Sequence, residues 1–179
     1  RRGSIQATSI YIELADGSIT ADSEVKSVLG AMLDRSSDKP HRPSLLNEQE
    51  STYVTAGQLS YDGNTEVAVY SFETRLWQGD TEFTGNELIL DETNGSVSIT
   101  GAANTRTIVN QLGNETGLRR DSLIVGEAEF FAFDDRTRTA TYKDSARLQG
   151  PQSNLAADRI MLFLLEDSRT LERIEAKGS

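Results

Sequence analysis

The stretch Tyr61-Asp-Gly-Asn-Thr-Glu-Val-Ala-Val-Tyr-Ser-Phe-Glu-Thr-Arg-Leu76 decides how the chain folds, because the sequence carries it twice. Laid on Phe133 to Leu148, a shift of 72, it matches Asp62 with Asp134, Thr65 with Thr137 and Ala68 with Ala140. It also matches Tyr70 with Tyr142, Arg75 with Arg147 and Leu76 with Leu148, six identities in 16 positions. Both copies then read Gln-Gly, at Gln78-Gly79 and Gln149-Gly150, the first delayed by one extra residue, Trp77. An extra residue in one copy of a strand is what a β-bulge supplies, so Trp77 is expected at a bulge, with the ladder resuming at Gln78.

The repeat extends outward from that stretch. Gly85-Asn-Glu-Leu88-Ile-Leu90 sits 72 before Ala157-Asp-Arg-Ile160-Met-Leu162 and 78 after Ala7-Thr-Ser-Ile10-Tyr-Ile12. Each is followed by a turn and a second short strand, Ser18-Ile19-Thr20-Ala21, Ser98-Ile99-Thr100-Gly101 or Arg173-Ile174-Glu175-Ala176. Short runs of Ile, Val, Thr, Tyr and Leu broken by Asp16-Gly17, Asp62-Gly63 and Asn94-Gly95 give the period-2 pattern of antiparallel hairpins. The fold class is all-β, a single domain over 1–179, with copies at about 4–29, 52–108 and 123–179. No such unit buries its apolar face alone, so stacked copies share a core.

Two segments interrupt the pattern. Val25, Val28, Leu29, Met32 and Leu33 fit an amphipathic helix behind Asp22 or Ser23, but Gly30 breaks it and Val25 to Leu29 equally continues a strand. The reading taken is strand through about Leu29, then an irregular or briefly helical excursion over about 30–50, with a second excursion over about 109–122. Arg1-Arg2-Gly3 lacks the apolar stretch of a complete signal peptide, and both ends are expected to break off inside the repeat.

Composition narrows the function. The 179 residues carry 18 Lys+Arg against 28 Asp+Glu, a formal charge of −10, which argues against nucleic acid as a partner. No run is long and apolar enough for a transmembrane helix. The absence of cysteine excludes disulfides, thiolate nucleophiles and Cys-ligated metals. The one histidine, His41, lies between Pro40 and Pro43, a loop setting unsuited to a catalytic triad or a zinc site. Asp16, Asp62, Asp91, Asp134 and Asp135 sit at turns, where Asp has an ordinary structural role. Asp62-Gly-Asn-Thr-Glu66 lacks the ligand series of a calcium loop, so no metal or cofactor and no enzymatic activity is expected. Trp77 reads equally as an exposed binding aromatic or as packing.

Period-2 spacing puts both members of each matched pair on one face: Ile10 and Ile12, Leu88 and Leu90, Ile160 and Leu162. Ile19, Ile99 and Ile174 join them, as do Tyr70 and Tyr142. These residues line the interior, either as packed core or as the wall of a groove for a long hydrocarbon. A sheet with open edges also offers strands for pairing with another chain.

The series Ala-x-Tyr-x4-Arg-Leu-(x)-Gln-Gly, then Ala-Asp-x-Ile-x-Leu, then apolar-x-x-Ile-x-Ala-x-Gly resembles the OstA-like (LptA-like) lipopolysaccharide-transport family. The best match runs from Ala140 and Tyr142 through Ala146-Arg147-Leu148-Gln149-Gly150 and Ala157-Asp158-Arg159-Ile160 to Leu171, Ile174, Ala176 and Gly178. The copy from Tyr61 to Gly101 departs from it, with Gly85-Asn86 in place of Ala-Asp. The resemblance implies an open, twisted β-jelly roll in the periplasm of a Gram-negative envelope, with the eleven inward residues above as the groove for lipopolysaccharide acyl chains. It also implies head-to-tail edge pairing with itself and with other OstA-like or LptC-like transport components, bridging the two membranes. The competing readings are a structural or adhesive β-repeat protein with a solid core, and a polysaccharide-modifying enzyme on a β-solenoid. The charge of −10 would keep anionic head groups outside the groove.

Overall fold

The computed structural model describes residues 3–31, 42–112, 119–151 and 154–178. His41 and the 32–41 part of the first excursion lie outside the described residues. Among the described residues there is no helix, and the strands are β1 (Ser4–Gln6), β2 (Ser9–Ile12), β3 (Ile19–Leu29), β4 (Thr52–Asp62) and β5 (Val67–Gln78). They continue as β6 (Thr81–Asp91), β7 (Ser96–Leu112), β8 (Arg119–Asp134), β9 (Thr139–Gln149), β10 (Asn154–Leu164) and β11 (Leu171–Lys177). All belong to one open antiparallel sheet whose order from β3 onward is the order of the chain, with β1 and β2 end to end along the outer edge of β3. Chain order follows from short turns: each strand pairs with the one that its turn delivers.

The sheet bends along a single line. Pairs of left-handed residues interrupt alternate strands at Ser23-Glu24, Phe72-Glu73, Gly101-Ala102 and Asp144-Ser145. Each pair faces one residue of a neighbouring strand, and the register shifts there, between Asp22 and Val25, Ser71 and Thr74, Thr100 and Ala103, and Lys143 and Ala146. Two residues against one is a bulge, which bends the strand and sharpens its twist. Repeated across the sheet, the bulges crease it into two halves that face each other.

Packing across the crease holds the halves together. Phe83 of β6 and Phe131 of β8 lie on opposite sides of the bulge line, yet their rings are 5.5 Å apart, and Phe131 in turn meets Tyr142 at 4.9 Å. The Tyr142 hydroxyl reaches Thr105 Oγ1 on the other half at 2.7 Å, both groups buried. A Cβ at Gly126 would collide with the Tyr142 ring and Thr105 Oγ1, which is why glycine stands there.

Two expectations are corrected. Trp77 is not at a bulge: it continues a regular ladder opposite Tyr53 and Glu82, and the bulge of β5 lies earlier, at Phe72-Glu73. The residue inserted at Trp77 instead lengthens the strand by one and turns Gln78 inward, whereas its counterpart Gln149 faces out. The excursion expected over about 109–122 is, in its described residues, the outer part of the β7–β8 hairpin, with Val109 opposite Ser122 and Leu112 opposite Arg119. Val109 and Ser122 are buried, and two strands that shield each other's backbone outweigh the weak loop signal. The segment Val25 to Leu29 is strand, as read.

Candidate apolar groove

The inward residues form two rows that cross the whole sheet. Register places Ile10, Ala21, Leu59, Tyr70, Leu88, Ile99, Phe131, Tyr142, Ile160 and Ala176 side by side in the first. The second row holds Ile12, Ile19, Tyr61, Ala68, Leu90, Val97, Phe133, Ala140, Leu162 and Ile174. All eleven residues singled out in the sequence thus fall on these two rows. Nine further residues of the rows, among them Ala21, Leu59, Phe131 and Phe133, were not among the eleven, although their matched spacing was available as a signal.

The rows are not uniform along their length. Tyr70, Leu88, Leu90, Ile99, Tyr142, Ile160 and Leu162 are buried, while Ile10 is 44% exposed, Ile12 52% and Ile174 36%. The exposed first end frames an apolar pocket of about 400 Å³. Its walls come from both halves: Ile5, Val28 and Leu29 on one, and Ile10, Ile12, Ile19, Leu59, Tyr61, Ala68 and Leu90 on the other. Of the eleven residues, Ile10, Ile12, Ile19, Tyr70 and Leu90 line this pocket, and the remaining six do not.

Tyr70 is the pocket's counterpart of Tyr142. Its phenol faces Ser27 as Tyr142 faces Thr105, and burial pushes its pKa up to about 12, with Ser27 opposing and Glu92 adding to the rise. Ser27 Oγ is buried without a hydrogen bond of full geometry, so this second crossbar is the looser one. Burial raises the Tyr142 phenol further, against the hydrogen bond to Thr105.

Elsewhere the mouth between the halves is covered. Residues 42–50 leave the β3–β4 edge and cross to the β8–β9 turn, where the Ser44 amide donates to Asp135 Oδ1 at 2.9 Å and the Ser44 hydroxyl bonds the same carboxylate. Gln78 holds the near end, accepting from the Asn47 amide at 2.5 Å and donating to the carbonyls of Asn47 and Glu50 and to Thr52 Oγ1. Between these anchors Leu46 points into the core, 2% exposed. At the far end the β10–β11 turn docks on β7, with the Asn110 amide donating to the Arg169 carbonyl at 2.7 Å.

The acidic turn residues serve the backbone. Asp16 accepts from the Ser18 amide, Asp62 from Asn64, Asp91 from Asn94 and Asp134 from Arg136. The Ser18 bonds hold the Asp16 carboxyl below its ordinary value. Among the described residues no group of three or more His, Asp or Glu side chains is placed to hold a metal.

A creased antiparallel sheet with an apolar interior, closed at its centre and open at one edge, defines an open β-jelly roll of the kind that presents a groove along its fold. The family model described as LptA/(LptD N-terminal domain) LPS transport protein matches residues 53–168, most of the chain, from the start of β4 into the β10–β11 turn. The chain belongs to this family. Among solved structures it is similar to LptH of Pseudomonas aeruginosa, described as the LptA homologous periplasmic component of the conserved lipopolysaccharide transport device. The TM-score is 0.55 at 17% identity, covering 72% of this chain and 82% of that one, and it supports the fold. No curated protein sequence matches the chain.

Proposed function

We propose that the protein carries acyl chains of lipopolysaccharide in the periplasm of a Gram-negative envelope, seating them in the pocket at its N-terminal edge. The observation that carries this reading is the pocket itself: a space of about 400 Å³ lined mainly by apolar side chains from both halves of the sheet, with Ser4 and Glu92 among its polar members, on a member of a lipopolysaccharide-transport family. Burying each methylene of an acyl chain there contributes about 0.8 kcal/mol. The charged head group stays outside, where the protein's net charge of −10 disfavours drawing its phosphates inward. The test uses adjacent residues of β2. A photo-crosslinker at Ile12, which faces the pocket, should capture lipopolysaccharide, whereas one at Tyr11, on the opposite face, should not. Equal capture at the two positions, or none at Ile12, would overturn the groove.

The same reading includes edge pairing with further copies and with other OstA-like or LptC-like components. Strand directions alternate throughout, so β11 of one copy placed against β2 of the next continues the antiparallel pattern. Continuity of the two rows then sets Ile174 beside Ile12 and Ala176 beside Ile10. Ile12→Cys with Ile174→Cys should give disulfide-linked ladders on oxidation, and Tyr11→Cys with Ile174→Cys should not. A strictly monomeric species in sedimentation velocity over a concentration series would remove the pairing.

One observation favours the alternative of a structural β-repeat protein: the middle of the rows is packed solid around Phe83, Phe131 and Tyr142. Native mass spectrometry of protein purified from a Gram-negative host separates the two, since only the carrier retains lipid.

A further inference from the structure

The strap over the mouth is built in a way that the strands are not. Leu46 is its fully buried aliphatic side chain, with Pro43 also buried and Leu45 half-buried against the core. The strap is held at both ends by hydrogen bonds that water can replace: Ser44 on Asp135 at one half of the sheet, Asn47 and Glu50 on Gln78 at the other. Its near anchor depends on a feature absent from the second copy. The residue inserted at Trp77 rotates Gln78 to the inner face, where it is buried against the strap, while Gln149 in the uninserted copy stays exposed. Leu46 belongs to the same apolar cluster as Leu59, Tyr70 and Leu90, three residues that line the open pocket.

We propose that residues 43–50 form a side gate of the groove, in which Leu46 is the chain's own occupant of the apolar interior and an entering acyl chain displaces it. The inference rests on the groove reading above. Displacement frees the mouth along β6 to β8, so that a bound chain extends past the pocket, and the cost of exposing Leu46 is offset by the methylenes that take its place. The anchors at Asp135 and Gln78 are side-chain hydrogen bonds outside the strand ladders, and Arg42, bonded to the Glu50 and Gly30 carbonyls, holds the root of the strap in place, so the strap opens without disturbing the ladders.

The absence of cysteine makes a direct test available. Ser44→Cys with Asp135→Cys allows a disulfide between strap and turn, locking the gate when oxidised and releasing it in dithiothreitol. The probe is 11-(dansylamino)undecanoic acid, followed by its fluorescence on binding. The reduced double variant, which lacks the Ser44–Asp135 bonds, should take it up at least as fast as wild type, and the oxidised form at least tenfold more slowly than the reduced one. Gln78→Ala and Leu46→Ala, which loosen the strap without a crosslink, should speed uptake, and they decide the matter if the disulfide does not form. In wild type, hydrogen exchange of the Leu46 and Asn47 amides should rise on adding the probe.

Equal uptake by oxidised and reduced forms, or unchanged rates in both loosening variants, overturns the gate and leaves the groove standing. Protection, rather than exposure, of the strap amides on binding also overturns it. If wild type and the reduced variant both fail to bind the probe and lipopolysaccharide, the groove reading itself fails.

Discussion

The two tyrosine crossbars are one device used twice. Tyr70 and Tyr142 stand 72 residues apart in matched stretches, and each reaches across the crease toward a hydroxyl, Ser27 or Thr105. At Tyr142 the device is closed: a 2.7 Å bond to Thr105, a glycine beneath the ring, and Phe131 packed against it. At Tyr70 it is looser, and the ring forms part of the wall of an open pocket. The difference lies in the position of each copy in the sheet. Both tyrosines have long neighbouring strands, and the wall each faces differs: Tyr142 meets Thr105 on the long β7 inside the sheet, whereas Tyr70 faces Ser27 on β3, whose outer edge carries only the short β1 and β2. The same local sequence therefore makes core in one place and groove in the other.

The largest test of this contrast is truncation within the rows. Phe131→Ala at the closed crossbar should cost about 3–5 kcal/mol, because a buried ring leaves a cavity that its packed surroundings cannot fill. Ile12→Ala at the open end should cost less than about 1 kcal/mol, since half of that side chain already meets solvent. Urea unfolding measures both; similar losses would mean that the open end is as tightly packed as the centre.

Next in size is the pair of hydroxyls. Thr105→Val strands the buried Tyr142 hydroxyl and should cost about 1–3 kcal/mol. Ser27→Ala removes an oxygen with no full hydrogen bond and should change stability by no more than about 0.5 kcal/mol. An equal cost at Ser27 would show that the Tyr70 crossbar is bonded in solution as firmly as the other.

Alkaline pH reads the same two phenols. Burial raises both above the ordinary tyrosine value near 10. The folded protein thus holds protons that the unfolded chain has lost, and stability falls as pH rises from about 10. For Tyr70 that loss continues until about pH 12, and for Tyr142 it extends further. Absorbance at 295 nm should show Tyr70 ionising before Tyr142, with Tyr70→Phe removing the earlier step. Tyr142 ionising first would reverse the order of burial argued here.

What could be read from the sequence follows from these cases. The rows were legible because matched pairs such as Leu88 and Leu90 with Ile160 and Leu162 carry period 2 and recur at a fixed shift. The bulge line was missed because three of its four pairs contain no glycine. A cue was present: strict alternation from Tyr142 would send Asp144 inward, an expensive place for a carboxylate. The strap was not legible, since Leu46 has no periodic partner and Asp135, its far anchor, lies 91 residues beyond Ser44. Nor could the open and closed ends be told apart, because exposure of Ile12 and burial of Leu162 depend on how many strands lie beyond each.

A smaller effect than those at Phe131 and Thr105 belongs to Trp77, where the two copies part. On the outer face its ring stacks on Tyr53, centroids 5.4 Å apart at 16°, with the Arg75 guanidinium 5.2 Å away. Losing that half-exposed contact in Trp77→Ala should cost about 0.5–1.5 kcal/mol and leave the register intact, because alanine still fills one position of the strand. Deleting Trp77 is a different change. It moves Gln78 into the outward position that Gln149 holds in the other copy and withdraws its bonds to Asn47, Glu50 and Thr52. Hydrogen exchange separates the two effects: the Leu46 amide should exchange faster in the deletion than in Trp77→Ala, while amides of β9, where the repeat carries no insertion, keep their protection in both. If Trp77→Ala freed the strap as fully as the deletion, the aromatic stack, and not the inward turn of Gln78, would be what holds it.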